Sequence, residues 1–348
     1  MNILINGVGN IGTTLLNILN EYRELLGIKE IYAKKNTLKS WDISDLKFLE
    51  KKNIKICTES KDALDLCENE LNIVDYNDIK DNIDYIFDTT ANKMGIRNLE
   101  EYKKMKSLKG ASAQGSEKGF GVPYALGSND SRIKKEKYVN IVSCNTHATL
   151  AVLKTFTGNN LENLEEADFV VVRRSEDIGN HERLITANVV ARHLDENIGT
   201  HHAIDAIDLL KTMGLSPKLT SSDVTTPSQL MHTFRFNIEL KESRTIEELK
   251  RMINRNKNIS ITNKFDTNKV FELGRRYGKS GRLYSHIIII ENNLLLREKN
   301  IMGWGMIPQE GNTILSTISA FLLQTTDDYD KYENIIEIIR KDLIINEI

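Results

Sequence analysis

The first fifteen residues, Met1 to Leu15, have the sequence MNILINGVGNIGTTL. The apolar stretch before the loop GVGNIG predicts a strand, and the pattern after it predicts a helix. In this context Gly7 makes a tight turn, Gly9 admits a pyrophosphate close to the backbone, and Gly12 allows close helix packing. The alternative is an ordinary structural turn. The position of the glycine loop at the first strand-to-helix turn favours a dinucleotide-binding βαβ unit.

Strands and helices alternate through the first 142 residues. The predicted strands are 3–5, 28–33, 54–57, 85–88 and 139–142, and helical stretches lie between them, among them 44–51 and one that runs through 106. Repeated βα units of this kind predict a parallel doubly wound sheet. The fold class is therefore α/β, with an N-terminal Rossmann domain at 1–142.

After residue 142 the pattern changes. A helix at about 146–156 is followed by alternating strands at 168–174, 233–240 and 284–290, and helices at 313–325 and 329–344 close the chain. These features predict an α+β catalytic domain at 143–312 with a mostly antiparallel sheet. The apolar helix 313–325 is expected to pack back on the nucleotide domain, so 313–348 is assigned to that domain.

Composition narrows the class of protein. A chain of 348 residues favours two domains with sizeable cores, and a formal net charge of −2 gives no reason to expect a nucleic-acid partner. The sequence enters an apolar strand directly, without a charged leader or a long apolar span, so we expect a cytoplasmic protein without a membrane partner. Three cysteines, an odd number, argue against a disulfide framework and leave thiol chemistry open.

Of the three cysteines, Cys144 has the setting of a nucleophile. It follows an apolar strand that ends at Val142 and precedes a helical run, so its sulfur is expected at a helix N-terminus, which favours the thiolate. A thiolate attacks an aldehyde carbonyl to give an adduct that transfers hydride and becomes a thioester. The alternative is a buried small residue, which is how we interpret Cys57 and Cys67.

The turn after the second strand lacks the carboxylate that usually holds the adenosine ribose of NAD. The strand ends Ala33, Lys34, Lys35, and a lysine there is suited to the 2′-phosphate of NADP. The alternative is an exposed turn lysine. We take Lys34 as the candidate, in a partly exposed charge pair, and expect dual use of NADP and NAD with NADP preferred.

Seven motifs span almost the whole chain and carry a family resemblance. They are GVGNIG at 7–12, QGSEKG at 114–119, VSCNT at 142–146, VVRR at 171–174, HH at 201–202, LMH at 230–232 and PQEGN at 308–312. In order and spacing the chain resembles the archaeal type (type II) of glyceraldehyde-3-phosphate dehydrogenase. VSCNT and LMH are the more specific elements, whereas HH or RR alone means little.

The resemblance implies an activity and a set of site residues. It implies phosphorylating oxidation of D-glyceraldehyde 3-phosphate with NAD(P) and inorganic phosphate through a cysteine thioester, in a homotetramer. The implied nucleophile is Cys144 and the implied base is His232. The implied substrate contacts are Ser143, Cys144, Asn145, His201 and His202, and the implied coenzyme contacts are Gly7, Gly9, Asn10, Ile11, Gly12, Lys34, Gly115, Arg174 and Gln309.

Residue chemistry leaves alternatives at these positions. His232 heads an alternating strand, which by itself favours a half-buried structural histidine, and it is the LMH match that favours a catalytic role. Arg173 and Arg174 point to opposite faces of a predicted strand, so only one of them serves a given site, and the resemblance favours Arg174 for the coenzyme. The histidine pair and one arginine are suited to bind a substrate phosphate.

The chain also departs from the family. A GPINAI-like segment usually lies between RR and HH and a GPD-like sequence follows HH, while this chain has ERLITANVV at 182–190 and Ala203, Ile204, Asp205 after the pair. The loop near the substrate is therefore expected to differ. Two other functions stay open: another cysteine-dependent dehydrogenase of semialdehydes or phosphorylated aldehydes, and a nonenzymatic nucleotide-binding module.

Overall fold

A computed structural model describes residues 1–67, 70–115, 117–176, 188–192, 194–228 and 230–348. Within these ranges the chain forms two compact units. The first consists of Met1–Pro123, Ile133–Ile141 and Ser316–Ile336, and the second of Tyr124–Arg132, Val142–Leu315 and Glu337–Ile348. Parts of two sequence features lie outside the described residues, namely Ser116 of QGSEKG and 182–187 of the divergent segment.

The first unit contains the doubly wound sheet. Its strands are β1 (Asn2–Asn6), β2 (Glu30–Lys34), β3 (Lys55–Thr58), β4 (Ile73–Asp75), β5 (Tyr85–Asp88), β6 (Gly110–Gln114), β7 (Val122–Tyr124) and β8 (Tyr138–Ile141). Its helices are α1 (Asn10–Glu21), α2 (Asp42–Glu50), α3 (Lys61–Cys67), α4 (Tyr76–Ile79) and α5 (Gly95–Tyr102), and α6 (Asp130–Ile133) follows β7.

The order of these strands is β4-β3-β2-β1-β5-β6-β8-β7, and every pairing from β4 to β8 is parallel. The direction in which strands are added changes at β1: strands β2 to β4 extend the sheet on one side of β1, and β5 and the later strands extend it on the other side. In an open parallel sheet, ligands bind at such a switch point, outside the carboxyl ends of the strands. The glycine loop leaves β1 at this position, so the topology agrees with the nucleotide-binding prediction.

The glycine loop has the geometry that its sequence predicts. Gly7 has φ of +106°, and a Cβ there would lie 2.8 Å from the backbone of Thr89. A Cβ on Gly12 would lie 2.1 Å from the carbonyl oxygen of Gly7, so the helix packs directly on the turn. By contrast, a Cβ on Gly9 would meet nothing within 4 Å. Two glycines are therefore required by the fold, and the third borders open space.

The second unit contains a mixed, mostly antiparallel sheet. Its strands are β9 (Leu164–Arg173), β10 (Val190–Arg192), β11 (Lys218–Thr225), β12 (His232–Leu240), β13 (Ile259–Thr262), β14 (Ile287–Ile290), β15 (Leu295–Arg297) and β16 (Asn300–Ile307). The order is β10-β11-β9-β12-β16-β14-β13, with β15 on β16, and only β11 with β9 and β13 with β14 pair in parallel. Its helices are α7 (Cys144–Thr157), α8 (His201–Lys211), α9 (Ile246–Arg255) and α10 (Thr267–Tyr277).

The buried side of this sheet forms a core against α7, α8 and α9. Strand β12 alternates strictly, with Phe234, Phe236 and Ile238 fully buried. Burial of such side chains stabilises a fold by about 1.5–3 kcal/mol each. Strand β16 carries glycine where it faces this core, because a Cβ on Gly303 would lie 2.4 Å from the ring of Phe236.

Two helices close the chain, α11 (Ile314–Thr325) and α12 (Tyr329–Leu343). The ring of Phe321 packs against Tyr85 and Phe87, with centroid distances of 4.9 and 5.6 Å, and this part of α11 belongs to the first unit. The boundary differs at the end of the chain: Glu337–Ile348 belongs to the second unit. There Ile348 donates its backbone N–H to Ile261, which extends the edge at β13.

The predicted fold class is confirmed: a parallel doubly wound sheet and a mostly antiparallel second sheet are both present. In the described part of the chain, none of the helices combines the length and the apolar character needed to cross a membrane.

The glycine loop generates a prediction about stability. Gly7→Ala places a side chain at positive φ against backbone, and we expect it to lower the free energy of unfolding by about 2 kcal/mol or more. Gly9→Ala is the matched control, because its backbone is extended and its Cβ is unobstructed, and the expected loss is about 1 kcal/mol or less, the cost of alanine at an N-cap. Urea unfolding measures both. Equal losses in the two variants would contradict this account of the turn.

Candidate active site

The candidate nucleophile lies at the first position of helix α7. Ser143 caps the helix with extended backbone and accepts a hydrogen bond from the Thr146 N–H at 3.3 Å. Cys144 is partly exposed, whereas the residues that follow it are buried. The predicted helix N-terminus is thus present, and its dipole favours a negative charge on the sulfur. Cys57 is fully buried, and burial raises the pKa of its thiol to about 12, so it stays protonated.

Asn145 links the cysteine to the histidine pair. The Cys144 thiol donates to Asn145 Oδ1 at 3.8 Å, and Asn145 Nδ2 lies 3.4 Å from His202 Nδ1. Asn145 and His202 are both buried, at 5% and 1% exposure, so their positions are fixed by packing. The structure therefore brings together Ser143, Cys144, Asn145 and His202, four of the residues that the resemblance implies as substrate contacts.

The histidine pair forms the start of helix α8. The rings of His201 and His202 lie 3.9 Å apart, and His202 Nε2 lies 3.3 Å from the buried Asp223 on β11. Burial and the neighbouring His202 lower the pKa of His201 to about 4. Burial opposes ionisation of Asp223, but the hydrogen bond from His202 and the charge of Arg173 outweigh it and lower the pKa of this carboxyl.

The two adjacent arginines serve different clusters. Arg173 Nη1 lies 3.7 Å from Asp223, beside the histidine pair. Arg174 is buried at 4% exposure and forms an ion pair with Glu310. The arginine next to the predicted phosphate contacts is therefore Arg173, while Arg174 lies with His232.

His232 has a close contact at each ring nitrogen, and the contact at Nε2 brings two donors together, because Gln309 presents its amide nitrogen there. Its Nδ1 accepts the backbone N–H of Arg174 at 3.0 Å, and the side-chain amide of Gln309 lies 2.5 Å from Nε2. Burial, followed by the charges of Arg174 and Arg173, lowers its pKa well below the usual value, so the ring is neutral near pH 7. Because Nδ1 acts as an acceptor, a neutral ring carries its proton on Nε2. To contact a substrate, Nε2 must separate from Gln309.

One short segment contacts both the His232–Arg174 cluster and the start of helix α7 at Cys144. Within Pro308 to Asn312, Gln309 contacts His232 and Glu310 pairs with Arg174. Asn312 is fully buried and donates through Nδ2 to the carbonyl oxygens of Cys144 at 3.0 Å and His286 at 3.1 Å. Glu310 has φ of +63°, an uncommon backbone conformation that often marks functional sites.

The nucleotide-binding candidates lie at the carboxyl edge of the parallel sheet in the first unit. Gly9 precedes α1, whose first residues are Asn10 and Ile11, and in the described chain no side chain caps this helix. Gly115 follows β6 with φ of +79°, and a Cβ there would also meet open space. Uncapped N–H groups and an unobstructed glycine fit the pyrophosphate of a dinucleotide.

Lys34 is less exposed to solvent than the sequence predicts. The sequence analysis places it in a partly exposed pair, but it is buried at 4% exposure. Its Nζ lies 3.2 Å from Glu59 and 3.6 Å from the centre of the Tyr76 ring. Glu59 follows β3, and it also accepts a hydrogen bond from Asn36 at 2.6 Å. A carboxylate is thus present at this edge of the sheet, but it comes from the third strand.

Sequence reasoning did not identify four of the residues described above as site residues. They are Glu59, Asp223, Glu310 and Asn312. Glu310 and Asn312 belong to the quoted PQEGN motif, so their proximity to the site was open to inference. Asp223 lies in a polar strand without a motif, and its partner becomes evident only when β11 pairs with β9.

The chain contains a doubly wound parallel sheet with a glycine turn and a mixed sheet with a cysteine at a helix N-terminus, which defines a Rossmann-like α/β protein of two units. No family model matches the chain. It is similar to proteins named glyceraldehyde-3-phosphate dehydrogenase from three archaea. For Methanocaldococcus jannaschii, identity is 24% over 264 residues, which cover 74% of this chain and 75% of the relative.

For Sulfolobus acidocaldarius, identity is 24% over 330 residues, which cover 91% of this chain and 90% of the relative. For Saccharolobus islandicus, it is 23% over 248 residues and 70% of each chain. These similarities confirm the resemblance to the archaeal type of this dehydrogenase. They support an oxidoreductase of the same general type.

Proposed function

We propose that this protein is a phosphorylating glyceraldehyde-3-phosphate dehydrogenase, which converts D-glyceraldehyde 3-phosphate, NAD(P) and inorganic phosphate reversibly into 1,3-bisphosphoglycerate and NAD(P)H. The observation that carries the proposal is Cys144 at the start of α7, beside Asn145 and the histidine pair. This arrangement provides a nucleophile, polar groups around it and candidate contacts for a phosphate.

In the proposed reaction, the Cys144 thiolate forms a C–S bond with the aldehyde carbon, and the carbonyl π electrons move to oxygen. The N-terminal N–H groups of α7 are suited to stabilise the resulting oxyanion. A nicotinamide coenzyme held at the glycine loop would supply the hydride acceptor, so that the carbonyl can re-form and Cys144 is left as a thioester. A phosphate oxygen then attacks this thioester, and the thiolate leaves.

His232 is proposed to act through Nε2. The resemblance implies a base, but the Arg174 N–H at Nδ1 favours a neutral ring with its proton on Nε2. After separation from Gln309, this N–H is suited to donate to the oxyanion on the adduct. Burial keeps the ring neutral by lowering its pKa, so the donor is available throughout the neutral range.

The substrate phosphate is assigned to His201, His202 and Arg173. Because the pKa of His201 falls to about 4, that ring contributes hydrogen bonds without a charge at pH 7. Arg173 supplies the cation, and Asp223 orients both it and His202. A phosphate bound in this cluster would contact the guanidinium of Arg173, which is paired with only the carboxylate of Asp223 among the residues named here.

The first prediction from this function concerns the second nucleophile. Formation of NAD(P)H from glyceraldehyde 3-phosphate is expected to require phosphate or arsenate, because either one releases the thioester. Cys144→Ser is expected to abolish turnover and to leave coenzyme binding nearly unchanged, since an alkoxide is much harder to form at neutral pH than a thiolate. Absorbance at 340 nm and coenzyme titration measure the two effects.

A rate of NAD(P)H formation that is independent of phosphate would refute the phosphorylating reaction but would not contradict catalysis by the Cys144 thiolate. Full activity of Cys144→Ser would refute both.

The second prediction separates a donor from a base at His232. His232→Asn is expected to lower kcat by about 10² to 10⁴, the usual contribution of a positioned acid–base or oxyanion group. His232→Gln retains a longer amide donor, so it should keep more activity than His232→Asn. A protonated ring disrupts the Arg174 contact, so wild-type activity should fall only when the pH drops well below 6.5, through the lowered pKa.

Rates and pH profiles from pH 5 to 9 provide the measurement. An unchanged rate and profile in both variants would assign the role to another residue, and equal inactivity of the two would favour a base.

The third prediction concerns coenzyme choice. We propose dual use of NADP and NAD, with NADP preferred and the ratio set by the Lys34–Glu59 pair. Lys34→Ala should weaken NADP binding several-fold and barely alter NAD, because it removes a cation assigned to the 2′-phosphate. Glu59→Gln, the complementary variant, frees the ammonium and should strengthen NADP binding.

Fluorescence titration of both coenzymes measures these effects, with thermal unfolding as the control for the buried Lys34 site. Equal weakening of both coenzymes by Lys34→Ala, or strict use of NAD by the wild type, would show the proposal to be wrong.

A further inference from the structure

The second unit contains a polar cavity that is separate from the residues assigned above. It has a volume of about 570 Å³ and lies between the middle of α7, the end of α9 and the residues that follow α9. This volume is within the range of small-molecule sites, about 300–1,000 Å³. The side chains that matter for its chemistry are Lys154, Arg255, Lys257, Asn258, His286 and Arg340.

Cations dominate the lining of this cavity. Lys257 and Arg340 share one carboxylate, Glu337, at 2.9 and 2.6 Å. Lys154 donates to the backbone carbonyls of Gly127 and Ser128 at 3.1 and 2.7 Å. Arg255 is exposed and has no carboxylate within ion-pair distance among the described residues. Asp130 and Glu162 also lie near Lys154, so four lining cations face three carboxylates and one positive charge remains, which is assigned to Arg255.

A second observation points to a ligand. His286 lines the cavity at 2% exposure, and its Nε2 has no hydrogen-bond partner in the described part of the chain. An unsatisfied buried polar group costs about 1–3 kcal/mol, so such an atom requires an explanation. Burial, followed by the charges of His147 and Arg340, lowers the pKa of His286 well below its usual value. The ring is thus neutral and offers a hydrogen bond at the wall of a cationic cavity.

We propose that this cavity binds a small molecule that bears a phosphate group. Arg255, Lys257 and Arg340 are suited to the phosphate oxygens, because guanidinium and ammonium groups are the preferred partners of phosphate. His286 and Asn258 are placed to meet polar groups of the same molecule. The shared chemistry is the phosphate, which comes either from a phosphate ester or from free inorganic phosphate.

The test compares three proteins by isothermal titration calorimetry at fixed low ionic strength. The wild type is compared with Arg255→Ala/Lys257→Ala, which removes two exposed cations of the cavity. The matched control, Lys250→Ala/Arg251→Ala, removes two charges from the same helix α9 outside the cavity. The probes are inorganic phosphate, pyrophosphate and phenyl phosphate.

We expect the cavity variant to bind at least one probe tenfold or more weakly than the wild type, and the control variant to bind all three probes as the wild type does. Tighter binding of phenyl phosphate than of inorganic phosphate indicates an ester, and equal binding indicates the free anion. Equal affinities in all three proteins would overturn the proposal, as would equal weakening in both variants. Phosphate that binds at the proposed active site contributes equally to all three titrations, because the active-site residues are unchanged, so a difference between the proteins reports on the cavity.

Discussion

The hydrogen bonds of Asn312 are the constraint on which the candidate site depends. Its side-chain nitrogen is shared between the carbonyl oxygens of Cys144 and His286, so the first turn of α7 is held against the end of the second sheet. The neighbouring Gln309 and Glu310 fix His232 and Arg174. A Cβ on Gly311 would lie 2.0 Å from the carbonyl oxygen of Leu283, so this segment has almost no freedom to change. Nucleophile and histidine are thus positioned by five consecutive residues.

Ion pairs among the described residues of the candidate sites determine which groups are available for chemistry. Arg174 is neutralised by Glu310 and Lys34 by Glu59, whereas Arg173 shares Asp223 with His202. Removal of one partner of such a pair leaves an uncompensated buried charge, which is costly. Four histidines, His147, His201, His232 and His286, have their pKa lowered by burial and are neutral. The candidate site therefore relies on hydrogen bonds from neutral rings, with the positive charge supplied by arginine.

Local sequence patterns predicted the elements whose residues follow the expected periodicity and capping. β1, the glycine turn and the helix that begins at Cys144 all follow from apolar periodicity and capping chemistry. Strand β6, with the sequence GASAQ, was missed because it is small and polar, although central strands of a parallel sheet are buried on both sides. Strand β16 was missed because its glycines weaken the pattern, and their reason is the distant Phe236. Glu59 and Asp223 gain their meaning from strand pairing, which one sequence does not contain.

The alternation of β12 has a consequence for how the gene can change over generations. His232 opens a strand in which every second residue is buried, and it pairs with Ile307 on one side while Thr233 pairs with Val172 on the other. Loss or gain of one codon inside this strand would turn the following side chains to the opposite face and expose Phe234 and Phe236. Single substitutions on the outer face leave this arrangement intact. Among related sequences, the region from His232 to Leu240 should therefore vary in sequence but not in length. Insertions should be found in the turns after Leu240.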